Sequence, residues 1–159
     1  TNVVPMVPFC RTPEEGRRVL AAMAKYGLRR GKDGLKVYVM CEIPSNILRA
    51  DEFLDAFDGM SIGSNDLTQL VLGLDRDAGT LTHIANENDP SVKKLIAEII
   101  HKCKAKKKYI GICGQAPSDH PDFAKFLVEE GIESISLNPD TVVSATIAVA
   151  ETEKRLRKK

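Results

Sequence analysis

The sequence predicts an α/β fold. Short apolar runs alternate with stretches of helical apolar spacing along the chain, and most of the helical stretches open on a capping residue or a proline. Short buried strands separated by helices mean parallel strands covered by helices. With 159 residues the chain fits one domain with a real core.

The elements follow in order. Val3 to Phe9 reads as a buried strand, with Pro5 and Pro8 suiting its ends. A helix opens at Thr12-Pro13-Glu14-Glu15, with Thr as N-cap, Pro in the first turn and Glu completing a capping box. Val19, Leu20, Met23 and Tyr26 keep helical spacing, and 27–34 is a polar loop. Lys36 to Glu42 is the second strand, followed by a helix over 46–57 with Ile47, Ala50, Phe53, Leu54 and Phe57 on one face. A strand at 59–63 leads into a helix from Asp66 to Leu74, and a polar loop covers 75–88. Asp89-Pro90 caps the clearest helix, with Val92, Leu95, Ile96, Ile99, Ile100 and Cys103 inward. Tyr109 to Cys113 is a strand, 121–130 a helix with Phe123, Phe126 and Leu127 inward, and 133–137 the last strand. Asn138-Pro139-Asp140 starts a final helix that runs into a charged tail, 153–159. Two closures remain open for such a chain: a doubly wound sheet, or part of a (β/α)8 barrel, which needs ~250 residues when complete.

Composition excludes some functions. An apolar fraction of 43% and a charged fraction of 28% are those of an ordinary globular protein. A formal charge of +1 gives no reason to expect nucleic acid or an anionic membrane as partner. No apolar run approaches the roughly 20 residues of a membrane span. Thr1-Asn2-Val3-Val4 is neither an initiator start nor a signal peptide, so the chain is expected to begin within a longer protein. Cys10, Cys41, Cys103 and Cys113 form no C-x-x-C pair, which points to a reducing cytoplasm rather than a disulfide framework or zinc. Lysines at 102–108 and 154–159 read as solvated helix ends.

Ligands of α/β proteins bind at the C-terminal ends of the strands. Those ends carry Cys41-Glu42, Gly63-Ser64-Asn65-Asp66 and Cys113-Gly114-Gln115. Glu42 and Asp66 are hard oxygen ligands of the kind Mg²⁺ takes, while Asn65 suits a substrate oxygen and Gly63 a close backbone approach. Ser64, Asn65 and Asp66 are equally N-cap residue types, and for Asp66 alone the two readings balance. Glu42 tips the pair toward a metal, because an acid closing an apolar strand has no capping role. Cys113 reads as a small buried hydrophobe or as a proton donor, its rim position arguing for the second. His83, His101 and His120 fall in loops or on helix surfaces and are assigned no chemistry.

The segments CEIPSNILRADEF, DGMSIGSNDLTQLVLGLDRD and GICGQAPSDHPDFAKFLVEEGIESISLNPDTV together resemble the C-terminal domain of the PEP-utilising enzymes, from about Val4 to Thr152. The resemblance implies a partial (β/α)8 barrel, approximately strands four to eight, over 1–152. It implies Glu42 and Asp66 as Mg²⁺ ligands, and Gly63, Ser64, Asn65 and Arg76 as further substrate contacts. Cys113 matches the family's proton donor. Gln115 stands where some branches commonly carry Glu, and the 114–142 stretch looks like the branch that makes phosphoenolpyruvate from pyruvate, ATP and water. A dikinase branch and a non-catalytic regulatory fragment are the alternatives. The implied partners are pyruvate or phosphoenolpyruvate, phosphohistidine and ATP-grasp domains outside this chain, and a second copy, since the family usually dimerises through this domain.

Overall fold

The computed structural model describes residues 2–74 and 84–158. Five parallel strands form one sheet in chain order: β1 (Met6–Val7), β2 (Tyr38–Cys41), β3 (Gly59–Ile62), β4 (Tyr109–Ile112) and β5 (Ser134–Ile135). The helices between and after them are α1 (Pro13–Lys25), α2 (Pro44–Leu48), α3 (Ala50–Ala56), α4 (Ser64–Leu72), α5 (Pro90–Ala105), α6 (Ala116–Asp119), α7 (Pro121–Glu130) and α8 (Val142–Leu156). Strand order never reverses, so the described strands hold no switch point of the kind a doubly wound sheet uses.

Register explains the layering. Tyr38 lies beside Gly59, and Gly59 beside Tyr109, so Val39, Met60 and Ile110 share the opposite face. Val37, Val39, Cys41, Met60, Ile62, Ile110 and Ile112 turn to the helices and join Ile47, Phe53, Leu54, Ile96, Ile99, Ile100, Phe123 and Leu127 in one buried core. Each of the large side chains contributes about 1.5–3 kcal/mol on burial. The other face is polar and aromatic. Tyr38 and Tyr109 stack there at 4.5 Å, across Gly59. A Cβ on Gly59 would come within 2.7 Å of the Tyr109 Cβ, so the residue between the rings has no room for a side chain.

Several expectations are corrected in detail. The first strand shrinks to two residues because Pro5 and Pro8, which flank it, have no N–H for a ladder. Thr12 caps α1 through Oγ1, which accepts the Glu15 amide hydrogen bond at 3.1 Å. The Glu15 carboxylate turns instead to the Arg11 amide, at 2.7 Å, leaving the box open. Tyr26 ends α1 as its C-cap and is 88% exposed rather than inward. The helix expected over 46–57 is two, broken at Arg49, whose guanidinium is drawn to Glu14 and Glu52. The helix expected from Asp66 begins at Ser64, because the Gly63 carbonyl already accepts from the Leu67 amide. Asn138-Pro139-Asp140 closes a turn, Thr141 N–H to Asn138 O, and α8 starts only at Val142. The one-turn α6 is too short to show a period in sequence. By contrast, α5 has its Asp89 cap and, apart from the half-buried Leu95, its buried stripe as expected, and α7 has its expected bounds.

Candidate active site

Parallel register sets the rim. Cys41 pairs with Ile62 and Ile62 with Ile112, so Glu42, Gly63 and Cys113 follow as neighbours at the C-terminal ends of β2, β3 and β4. All three are on the face away from the helices. Backbone hydrogen bonds continue the ladder to this row: the Gly63 amide to Cys41 O and the Cys113 amide to Ile62 O, both 3.0 Å.

Glu42 is 5% exposed. Its Oε1 accepts the Phe9 amide at 2.6 Å, which ties the end of β2 to the loop after β1. A Cβ on Gly63 would lie 2.7 Å from Glu42 Oε2, so the carboxylate extends over β3 only because position 63 is glycine. Burial pushes the Glu42 carboxyl up from its ordinary value; the Phe9 amide works against this and the charge of Asp66 adds to it. Asn46, which sequence reasoning missed, fixes the backbone here. Its Oδ1 accepts from the amides of Glu42 (3.2 Å) and Ile43 (3.0 Å), and its Nδ2 donates to Cys10 O at 2.8 Å. An Asn four residues past a strand end is the only trace of this in the sequence.

Ser64, Asn65 and Asp66 form the first turn of α4, and none of them is its N-cap, which is Gly63. The capping reading therefore does not account for Asp66. Among the described residues neither Glu42 nor Asp66 forms an ion pair, and no group of three or more His, Cys, Asp and Glu side chains converges. Two neighbouring carboxylates, one desolvated and each without a counter-cation among the described residues, suit Mg²⁺, which takes one or two carboxylates and completes its shell with water and substrate oxygens.

Cys113 is exposed, whereas Cys10, Cys41 and Cys103 are buried. The Ser61 hydroxyl donates to Cys113 Sγ at 3.3 Å, and the thiol lies 3.6 Å from Ile62 O, where its own hydrogen can be donated. The Met40 sulfur is 3.9 Å away. Ser61 and Met40 also escaped sequence reasoning, because only the register brings 40, 61 and 113 together. A cleft of about 230 Å³ beside the rim is lined by Asn65, Thr68, Gln69, Ala85, Glu87 and Gln115. The larger groove, about 500 Å³ between β5, α7 and α8, contains no rim residue. Arg76 and His83 lie outside the described residues. His101 pairs with Glu130 on the surface, and His120 separates α6 from α7. Among the described residues no helix is long and apolar enough to cross a membrane.

The sequence matches the family model of the PEP-utilising enzyme, PEP-binding domain, over residues 1–154. The chain belongs to this family. It is similar to phosphoenolpyruvate synthase of Synechocystis sp., 61% identical over 98% of this chain and 19% of the relative. Phosphoenolpyruvate synthase of Aquifex aeolicus is 60% identical over 98% of this chain and 18% of the relative. That of Escherichia coli K12 is 54% identical over 97% and 19%. The chain thus spans about a fifth of the length of these curated relatives. Membership in the PEP-binding domain family agrees with the placement of the polar residues, which gather at one rim of the sheet.

Proposed function

We propose that this chain is the C-terminal part of the substrate-binding barrel of a phosphoenolpyruvate synthase. The whole protein would convert pyruvate, ATP and water into phosphoenolpyruvate, AMP and phosphate, through a phosphohistidine on another domain. The observation that carries this reading is the single row formed by Glu42, Gly63 and Cys113, with Asp66 coupled to Glu42 across it. Five strands in unbroken order, with one face given to helices, support a (β/α)8 barrel of which these are approximately strands four to eight. The synthase branch is supported over the dikinase by the relatives' names and by Gln115.

Glu42 and Asp66 would hold Mg²⁺. An ion held by these two carboxylates would supply Lewis acidity toward the substrate's oxygens. Gly63 leaves the floor of the site open to substrate, and Asn65 in the first turn of α4 orients a substrate oxygen. Cys113 moves the proton. As thiolate it takes a proton from the methyl carbon of pyruvate, the C–H pair becomes the C=C bond, and the carbonyl pair moves to oxygen. That oxygen takes the phosphoryl group from the phosphohistidine, whose imidazole leaves. In reverse the thiol returns its proton to the methylene carbon. The Ser61 hydroxyl, donating to Cys113 Sγ, stabilises the thiolate that takes the proton and that is left again once the proton has been returned. Arg76 would neutralise the transferring phosphoryl group. The whole protein would act in the cytoplasm as a homo-oligomer.

Calorimetric titration of the whole protein with oxalate, an enolate mimic, tests the site. Binding should require Mg²⁺ and should disappear in Asp66→Asn. Oxalate binding that persists without metal, or in that variant, would overturn the assignment. Release of phosphate rather than pyrophosphate separates synthase from dikinase.

A further inference from the structure

Three segments meet at Glu87, which lines the cleft beside the rim and takes no part in the proposed reaction. It sits in the turn before α5 and lines the polar cleft together with Asn65, from the first turn of α4, and Gln115, from the turn after β4. Gly114 shows how closely these segments approach. A Cβ there would overlap the Ser64 hydroxyl and would stand 3.2 Å from Glu87 Oε1. Ser64 is fully buried. Its Oγ and Glu87 Oε1 are buried polar atoms with no hydrogen-bond partner among the described residues. They flank the same glycine, one a hydroxyl donor and the other a carboxylate acceptor, so each is the complementary partner for the other. Burial raises the Glu87 carboxyl from its ordinary value, against the Ser64 hydroxyl, His120 and the Ala116 amide, while Asp119 adds to the rise.

We infer that Glu87 is a positioning residue: its carboxylate accepts from the Ser64 hydroxyl, clamping the Cys113–Gly114–Gln115 turn onto the start of α4. The clamp sets where the Cys113 thiol stands relative to Asn65 and Asp66. The two segments are more than 40 residues apart in sequence, and among the described residues they are otherwise held together by strand pairing and by the contacts of the Cys113 thiol with Ser61 and Ile62. The kinetic consequence rests on the synthase reading, whereas the geometric one does not.

The test uses the whole protein and two readouts. One is the alkylation rate of Cys113 by iodoacetamide, resolved by peptide mass spectrometry; Cys10, Cys41 and Cys103 are buried and should react slowly. The other is steady-state phosphoenolpyruvate formation. Glu87→Ala should change Cys113 alkylation at least about threefold and lower kcat roughly 10- to 100-fold with little change in the KM for pyruvate. Glu87→Gln, which keeps an acceptor oxygen, should restore both. Ser64→Ala should reproduce the alkylation change of Glu87→Ala, and the double variant should add nothing, because one interaction is being removed twice. Unchanged alkylation in Glu87→Ala overturns the inference even if turnover falls, and so does additivity in the double variant. If Glu87→Ala does not fold, the Ser64→Ala and Glu87→Gln comparison decides by the same criteria. A whole protein that makes no phosphoenolpyruvate would defeat the synthase reading and leave the alkylation result standing.

Discussion

Asp58 and Glu42 are carboxylates at opposite ends of the same sheet, held in opposite ways. Asp58 precedes β3 at the N-terminal end. Its Oδ1 meets Arg30 at 2.8 Å and its Oδ2 accepts the Val37 amide at 2.9 Å. Burial works to raise its carboxyl, but Arg30 and the Val37 amide outweigh it and hold the group below its ordinary value. Glu42 closes β2 at the C-terminal end. Burial and Asp66 hold its carboxyl above the ordinary value, and no cationic side chain among the described residues compensates. One end of the sheet uses a charge to secure the fold. The other holds a carboxyl that no cation among the described residues pairs, a contrast of the kind that separates candidate binding sites from structural ion pairs.

Changes at the two ends should therefore separate activity from stability. The largest effect is expected from Cys113→Ala. Turnover of the whole protein should fall about 10²–10⁴-fold, while Mg²⁺-dependent oxalate binding remains; lost binding would mean that the residue is structural. Next comes Glu42→Gln, which should weaken Mg²⁺-dependent oxalate binding by more than the roughly 10–100-fold that outer partners of a metal site carry. The same variant should melt no lower than wild type without metal at pH 8, since it removes an uncompensated buried charge. Asp58→Ala should do the reverse. It should lower unfolding free energy by about 1–3 kcal/mol in urea and leave the oxalate titration unchanged.

The smallest effect is the pH dependence of metal-free stability. Glu42 has a raised carboxyl in the folded chain, so its contribution is fully present below its ordinary value of 4.5 and is lost as pH rises through the folded value. Asp58 has a lowered one, so its contribution is present above 3.8 and is lost as pH falls through the folded value. Thermal melts from pH 3 to 8 should show both flanks, with Glu42→Gln flattening the upper one and Asp58→Asn the lower. Added Mg²⁺ should flatten the upper flank in wild type, because the ion binds the ionised carboxylates. A single flank, or one that moves with the wrong variant, would break the comparison.

The sequence by itself determined the local part of this protein. Asp89-Pro90 and the stripe from Val92 to Cys103 made α5 legible, because caps and helical spacing act over a few residues. The strand ends bearing Glu42, Gly63 and Cys113 were legible for the same reason, as short apolar runs that stop at polar residues. Pattern was weaker elsewhere: the helix is interrupted at Arg49, whose guanidinium pairs with Glu14 on α1 and Glu52 on α3, and Tyr26 keeps helical spacing yet ends outside the core. Only the tertiary structure decided which side chains meet. Ser61 reaches Cys113 across 52 positions and Asn46 reaches Cys10 across 36. Such contacts follow from parallel register, and each parallel crossover inserts a helix and its loops between neighbours. Side chains that share one face of adjacent strands therefore carry no common signal in the chain. The rim could be located from sequence, but the clamp of Asn46 on Glu42, the hydroxyl beside the thiol and the approach of Glu87 to Ser64 required the strands to be paired.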